Sequence, residues 1–285
     1  MVPFAFTRPA TLSETFAILD EHGDAASLLA GGTDLVIELR NRSRRPKVVI
    51  DLKRVAELQP GISERGGWLT ITATTAMTDI QENALVQMWF PALVDAAATV
   101  GSVQIRNRAT LAGNMCHASP AADTAPPLLV YGAVVNVASA RGARRLKLDE
   151  FLVGPRQTVL QRGEVVTSID LPIATERRAA TFVRITRRRG VDLATVSLCC
   201  LVDASGSTRF AYGAVGPRPF LVADETGALS DPLAYDESKS SVLRALLEQA
   251  SPISDVRGSR EYREAMLLVM SRRALLSSIE RLGAA

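Results

Sequence analysis

The most constraining feature of the sequence is a strand, glycine turn, helix and strand that follow one another near the N-terminus. The apolar run Ala26–Ala30 predicts a short strand, and Gly31–Gly32 ends it with a turn. The segment from Asp34 to Arg40 predicts a helix, because it begins with an acidic and ends with a basic residue. Val48–Leu52 predicts a second buried strand. Any fold for this chain must therefore place a glycine turn between a strand and a helix.

Two interpretations of this glycine turn remain open. Gly-Gly is common in tight turns between a strand and a helix, and the segment alone favours that interpretation. The same geometry leaves successive backbone N–H groups free and lets a phosphate approach closely, with the Thr33 hydroxyl as a further donor. The segment contains neither a Walker A lysine nor a GxGxxG fingerprint.

A second segment of small residues has the composition of a ligand-binding loop. Gly101–Asn114 predicts irregular backbone, and Met115–Pro127 predicts a loop with few bulky side chains. Asn114 suits a left-handed turn, and Asp123 suits a hydrogen bond from a ribose or ribityl hydroxyl. The alternative is a solvent loop that leads into a helix containing Leu128. Together, the two segments predict opposite sides of an extended phosphate-bearing cofactor.

The pattern along the whole chain predicts an α+β fold with two domains. A chain of 285 residues exceeds the usual size of a single hydrophobic core. The C-terminal part has three β-rich segments and then two helical segments: Thr181–Thr186, Ala194–Val202, Thr208–Val215, Lys239–Gln249 and Arg260–Leu282. The β-rich segments predict an antiparallel meander. We expect the boundary near residue 174, with domains at 1–173 and 174–285.

Composition excludes several classes of protein. A net charge of +3 with 5% aromatic residues argues against a nucleic-acid binder. No apolar run is long enough for a membrane span, and the N-terminus lacks the pattern of a secretory signal. The three cysteines, Cys116, Cys199 and Cys200, lack iron–sulfur and disulfide spacing and are interpreted as buried hydrophobic residues in a reducing cytoplasm. With only two histidines, no metal site is expected.

Four groups of residues follow one another along the chain: Leu29–Leu35; Thr110–Asn114 with Ser119, Pro120 and Asp123; Arg184–Arg189 with Asp192–Ala194; and Asp255–Ser259 with Tyr262 and Arg263. In this order, and over nearly the whole chain, they resemble the FAD-binding medium subunits of the xanthine dehydrogenase and carbon monoxide dehydrogenase family of molybdenum hydroxylases. The resemblance implies a two-part N-terminal FAD-binding domain of the PCMH/CO-dehydrogenase flavoprotein type. It also implies a C-terminal domain with an antiparallel sheet and helices.

The resemblance further implies one non-covalently bound FAD and no catalytic residue on this chain. Electrons would come from an iron–sulfur small subunit and a molybdopterin large subunit, which would hold the 2Fe–2S clusters and the molybdopterin. NAD+ is the expected acceptor, and another acceptor remains an alternative. Other interpretations are a stand-alone flavin reductase of related fold and an assembly module without flavin.

The resemblance assigns the cofactor to residues on several segments. The residues implied to contact the pyrophosphate are Leu28, Leu29, Ala30, Gly31, Gly32, Thr33, Asp34 and Leu35. The residues implied to contact the opposite side of the cofactor are Thr110, Leu111, Ala112, Gly113 and Asn114. Further contacts fall on Ser119, on Asp123 with a hydroxyl, on Val166 beside the adenine, and on Arg184. The sequence departs from the family pattern at Ala112, where glycine is frequent, and at Arg184, where lysine is frequent. His117 is expected to be structural, with covalent flavin attachment as the alternative, and Arg187–Arg189 is expected to be a solvated face or a contact for an acidic partner or nucleotide.

Overall fold

The computed structural model describes residues 1–224, 226–231 and 236–284. Its first layer is a parallel sheet of three strands, β1 (Ala5–Thr7), β2 (Ala26–Leu29) and β3 (Val48–Asp51), in the order β1-β3-β2. The helix α1 (Leu12–His22) connects β1 to β2, and α2 (Leu35–Arg40) connects β2 to β3. The predicted strand, glycine turn, helix and strand are therefore confirmed.

The second layer is an antiparallel sheet of five strands. Its strands are β4 (Ile62–Arg65), β5 (Trp68–Thr72), β6 (Val134–Ser139), β7 (Gly142–Lys147) and, after the short pair β8 (Leu152–Gly154) and β9 (Gln157–Thr158), β10 (Val165–Pro172). The order is β4-β5-β10-β6-β7. The helices between β5 and β6 are α3 (Met77–Glu82), α4 (Ala84–Trp89), α5 (Pro91–Ala98), α6 (Val103–Arg106), α7 (Leu111–His117) and α8 (Ala125–Val130), and α9 (Leu148–Phe151) follows β7.

The predicted irregular segment from Gly101 to Pro127 is wrong in part, because it contains α6, α7 and the start of α8. Side-chain caps form these short helices: the Thr110 hydroxyl accepts a hydrogen bond from the N–H of Gly113 at 3.0 Å. Four and seven residues are too few to display helical periodicity. Asn114 lies inside α7, and Ala118 takes the left-handed conformation that ends this helix.

The C-terminal part is an antiparallel meander covered by helices. The strands β11 (Arg178–Ile185), β12 (Val196–Asp203) and β13 (Thr208–Gly213) confirm the three predicted β-rich segments, and β14 (Phe220–Asp224) is a fourth strand that was not predicted. α10 (Asp236–Leu246) and α11 (Arg260–Ala284) confirm the two predicted helical segments. The proposed domain boundary lies between β10 and β11.

The meander sheet has two buried faces. Side chains alternate along β12, so Cys199 and Leu201 join the core of the N-terminal part while Leu198 and Cys200 join the core beneath α11. Cys199 and Cys200 are thus buried hydrophobic residues, as predicted. Cys116 is exposed on α7, so the prediction that it is buried is wrong. The helix places its side chain outward, whereas the neighbouring Met115 faces the core.

Within the described ranges, no helix combines the length and the apolar character that crossing a membrane requires. In the same part of the chain, no group of three or more His, Cys, Asp or Glu side chains is arranged to hold a metal ion.

Candidate functional site

The turn after β2 presents a row of free backbone donors. In the described part of the chain, the N–H groups of Gly31, Gly32, Thr33 and Asp34 donate no hydrogen bond to the protein. Gly32 has a φ of +78°, a conformation that side chains rarely adopt. Successive free N–H groups in a turn form a concave surface for anions. The geometry therefore supports the phosphate-binding interpretation of this segment.

Gly31 joins this turn to the second segment. A Cβ at Gly31 would lie 2.0 Å from the carbonyl oxygen of Arg108, so only glycine fits between the two backbones. The side chains meet as well, because His117 Nε2 lies 4.0 Å from Asp34 Oδ1. The structure thus brings together the two segments that the sequence analysis placed on opposite sides of one cofactor.

Lys53 is a residue beside the turn that the sequence analysis missed. Its Nζ donates to the carbonyl of Ala30 at 3.2 Å and lies 2.5 Å from Asp51 Oδ1. The signal was present in the sequence, because Lys53 follows β3 and the ends of neighbouring parallel strands meet at one edge of a sheet. Its ammonium group therefore lies beside the turn while it is paired with Asp51.

Packing and a hydrogen bond within the N-terminal part fix the side chains of the second segment. Ala112 is buried in α7 with helical backbone, so its methyl group occupies a position where glycine is not required. Leu111 is fully buried, so its side chain belongs to the core. Asn114 accepts a hydrogen bond from the Thr124 hydroxyl at 2.8 Å, which fixes its side chain.

Asp123 supplies a buried carboxylate with one free oxygen. Its Oδ2 accepts from Arg184 Nη1 at 2.5 Å and from the Thr99 hydroxyl at 3.2 Å, whereas its Oδ1 has no partner in the described structure. Burial raises the pKa of this carboxyl, although Arg184 and Thr99 both act to lower it. Buried polar atoms are ordinarily paired, so the free oxygen fits a hydroxyl donor from a ligand.

The remaining predicted residues lie around this pair. Arg184, on β11, also donates to the carbonyl of Asp192 at 3.4 Å. Val166 is buried on β10, the strand against which α7 packs. Ser119 accepts a hydrogen bond from the N–H of Ala121 at 3.2 Å. The side chains of Leu28, Leu29 and Leu35 pack with the apolar core clusters, and Leu28 and Leu29 are partly exposed.

A cavity of about 650 Å³ opens between the N-terminal and C-terminal parts. Ser119, Pro120 and Pro155 line one side, and Leu193 and Ala214 line the other. The cavity is mainly apolar, and its volume is in the range of cofactor sites. A flat aromatic ring suits these walls.

A buried arginine, Arg263, lines this cavity and forms what we call the cavity floor. Arg263 is 3% exposed and donates to the carbonyls of Thr195 and Ala214 and to Asp255 Oδ1, at 2.5, 3.0 and 2.7 Å. Asp255 also accepts from the N–H of Arg257 at 2.8 Å, in a tight turn that pairs Asp255 with Gly258. Burial opposes the ionisation of Asp255, but the Arg257 N–H and the Arg263 guanidinium outweigh it and lower the pKa.

The Arg187–Arg189 cluster is a solvated face, as predicted, because all three residues are exposed, and two of them pair with one acid. Arg187 Nη2 lies 3.5 Å from Asp192 Oδ1, and Arg188 Nε lies 3.9 Å from Asp192 Oδ2. Asp192 therefore ties two of the three arginines to the loop between β11 and β12.

Comparison with known proteins agrees with this geometry. Residues 2–174 match the family described as the FAD binding domain in molybdopterin dehydrogenase, and residues 181–278 match the CO dehydrogenase flavoprotein C-terminal domain. The chain is 30% identical over 291 residues to the xanthine dehydrogenase FAD-binding subunit of Escherichia coli O157:H7, covering 99% of each chain. It is 30% identical over 281 residues to the carbon monoxide dehydrogenase medium chain of Hydrogenophaga pseudoflava, covering 96% of this chain and 97% of the relative.

A solved structure has the same fold over the same length. Carbon monoxide dehydrogenase from Hydrogenophaga pseudoflava, in a form that lacks the Mo-pyranopterin moiety of the molybdenum cofactor, superimposes with a TM-score of 0.90 at 28% identity and 99% coverage of both chains. The chain therefore belongs to the FAD-binding medium subunits of the xanthine dehydrogenase and carbon monoxide dehydrogenase family of molybdenum hydroxylases.

Proposed function

We propose that this subunit holds FAD non-covalently and passes electrons from a partner iron–sulfur subunit to NAD+ or another acceptor. A flavin supplies the required chemistry, because it accepts single electrons and delivers pairs. The molybdopterin and the 2Fe–2S clusters belong to the partner large and small subunits. Three free cysteines suit a complex in the reducing cytoplasm.

The free Oδ1 of Asp123 is the observation that carries the proposal. A buried carboxylate oxygen without a donor is costly unless a ligand pairs with it. Asp123 is also connected to both parts of the chain, through Thr99 and Arg184. Its neighbour Thr124 donates to Asn114 of the second segment, which supports a position for Asp123 beside the bound cofactor.

The other site residues take roles that their geometry permits. The N–H groups of Gly31–Asp34 bind the pyrophosphate, with Lys53 offsetting its charge. Thr110–Asn114 lines the opposite side through backbone atoms. Val166 packs near the adenine, Arg184 fixes the orientation of the Asp123 carboxylate, and Ser119 borders the cavity that receives the flavin ring. No side chain of this set is required to act as an acid or base.

A spectrum of the purified chain tests the cofactor. We expect flavin absorbance, with FAD released by acid at about one per chain. Flavin that stays with the precipitate would contradict non-covalent binding and direct attention to His117. A colourless protein that cannot be reconstituted would overturn the proposal in favour of an assembly module.

Two asparagine variants sharpen this test. Asp123→Asn should weaken FAD binding about 10-fold or more, because a hydrogen bond to a charged group contributes roughly 1.5–3 kcal/mol. Asp170→Asn is the matched control: Asp170 also pairs with one arginine, Arg145 at 3.2 Å, and also has a free buried Oδ1, but it is not one of the proposed cofactor residues. Equal loss of FAD from both variants would contradict the role of Asp123.

Reduction under anaerobic conditions tests the acceptor. If NAD+ is the acceptor, NADH should bleach the bound flavin of the FAD-loaded chain by the reverse reaction. Bleaching by dithionite but not by NADH would exclude NAD+ and leave another acceptor.

A further inference from the structure

A basic groove of about 380 Å³ lies apart from the flavin site. It is bordered by Gly23, Asp24 and Ser27 at the start of β2, by Arg44–Pro46 before β3, and by Arg162–Gly163 before β10. β2 contains four residues and spans about 10 Å, and the Gly31–Asp34 turn lies beyond its other end. The groove and the phosphate-binding turn are therefore at opposite ends of one strand.

The Arg162 guanidinium lies against Gly23 in this groove. Gly23 has a φ of +51°, and a Cβ there would lie 2.0 Å from Arg162 Nη2, so the guanidinium occupies the space that a side chain would fill. Within the described ranges, this guanidinium forms no hydrogen bond or ion pair with protein atoms. Arg162 is exposed, and its planar set of unused donors is free to bind an oxyanion in the groove.

The other groups on the groove favour the same ligand. Arg45 donates through Nε to the carbonyl of Arg42 at 3.1 Å and has no carboxylate partner in the described structure. Arg44 lies 3.2 Å from Glu38 Oε2, which offsets part of its charge. Asp24 is the acid among the lining residues, so the arginines leave the groove with a positive balance.

We propose that this groove binds the phosphate group of a small phosphorylated molecule. Arg162 and Arg45 provide planar guanidinium donors, which recognise phosphate through paired charge-assisted hydrogen bonds. The Ser27 hydroxyl, which has no partner in the described chain, supplies a further donor. The volume lies at the small end of the range for small-molecule pockets, and it suits a metabolite rather than a folded partner.

Calorimetric titration of the full chain, saturated with FAD, tests the proposal with inorganic phosphate and glucose 6-phosphate at constant ionic strength. Saturation with FAD keeps the probes from the Gly31–Asp34 turn. We expect both probes to bind once per chain, and Arg162→Gln and Arg45→Gln each to weaken binding about 10-fold or more. Arg65→Gln is the control, because Arg65 is exposed on β4, forms no described side-chain contact and does not line the groove.

Further results would decide the proposal. Asp24→Asn should tighten phosphate binding, because it removes a negative charge from the groove. Flavin absorbance should be unchanged in the Arg162 and Arg45 variants. No binding heat, or equal weakening by Arg162→Gln and Arg65→Gln, would overturn the proposal. So would binding of polyglutamate without binding of either phosphate probe.

Discussion

Arg184 Nη1 lies 2.5 Å from Asp123 Oδ2, and this contact joins β11 of the C-terminal part to the segment between α7 and α8 of the N-terminal part. Both side chains are largely buried, with 14% and 8% of their surface exposed. The pair leaves Asp123 Oδ1 free. The C-terminal part therefore fixes the orientation of the carboxylate that we propose binds the cofactor.

The stability of this pair should depend on which partner is removed. Arg184→Gln leaves a buried carboxylate without its cation and should lower the free energy of unfolding by about 3 kcal/mol or more. Asp123→Asn combined with Arg184→Gln should recover much of this loss, because no buried charge remains. Urea denaturation of the two single variants and the double variant, all without FAD, measures the coupling. Additive losses would contradict it.

The stability contributed by this pair should depend on pH. Burial raises the pKa of Asp123 in the folded chain, so the folded state binds its proton more tightly than the unfolded state, and this group stabilises the fold less as the pH rises. Loss of Arg184 removes an influence that lowers this pKa. The loss in free energy of unfolding caused by Arg184→Gln should therefore be larger at about pH 7 than at about pH 4.5. An equal deficit at both pH values would show that Asp123 is not the group responsible.

Gly31→Ala should disrupt the contact between the two cofactor segments. The added methyl group would collide with the carbonyl of Arg108, and backbone atoms cannot move away as a flexible side chain can. We expect the free energy of unfolding, measured by urea denaturation, to fall by about 3 kcal/mol. Flavin absorbance should show that the variant retains less FAD. Gly61→Ala is the matched control, because the nearest atom to its added Cβ is 3.8 Å away. A wild-type response from Gly31→Ala would show that the two segments can separate without cost.

The hydrogen-bonded carboxylate of Glu164 should make the fold less stable in acid. Its carboxylate accepts two hydrogen bonds from Arg144, both at 2.8 Å, and one from the N–H of Gln161 at 2.6 Å. Burial opposes its ionisation, but these donors outweigh burial and lower the pKa below its usual value. The stability that it contributes is therefore present above about pH 4.5 and lost as the pH falls through the lowered pKa.

Glu164→Gln should destabilise the chain by about 1 kcal/mol near neutral pH, and the difference from wild type should disappear in strong acid. Urea denaturation across this pH range measures the effect. Glu64→Gln, at an exposed position on β4 without described partners, should match wild type throughout. A constant difference at all pH values would mean that the ion pair is not its cause.

The sequence predicted the parts of the site that are local. Gly31 and Gly32 end a short apolar run, so the turn was visible from neighbouring residues alone. The helix α7 was missed because its formation depends on one side-chain cap at Thr110 and on packing against β10, neither of which has a periodic signature. The four ordered segments identified the family, which carried the assignment of Asp123 and Arg184.

The pairing of distant residues was not predictable in this way. Asp123 and Arg184 are 61 residues apart, and no pattern in either segment specifies the other. The basic groove was missed for the same reason, because Gly23, Arg45 and Arg162 come from three separate loops. Contacts of this kind follow from the packing of whole elements, which a single sequence does not display.

Arg263 provides a test of how the cavity floor is held. It donates to two backbone carbonyls and to Asp255, so one guanidinium holds three acceptors in place at the cavity floor. Arg263→Lys keeps the charge but loses the planar set of donors. It should lower the free energy of unfolding by about 2 kcal/mol. Arg263→Met should cost more, because it leaves both carbonyls and Asp255 without this donor. In that variant, the pKa of Asp255 should rise toward its usual value, as measured by NMR titration.

Arg272→Lys is the matched control for this test. Arg272 lies on the same helix, but its ion pair with Asp236, at 2.6 Å, is exposed to solvent. Exposed pairs contribute roughly 0.2–1 kcal/mol, so the control should change the free energy of unfolding little. The expected order of stability is therefore wild type and Arg272→Lys, then Arg263→Lys, then Arg263→Met. If Arg263→Lys were as stable as Arg272→Lys, a single ammonium group would suffice, and the planar geometry of Arg263 would not be what holds the cavity floor.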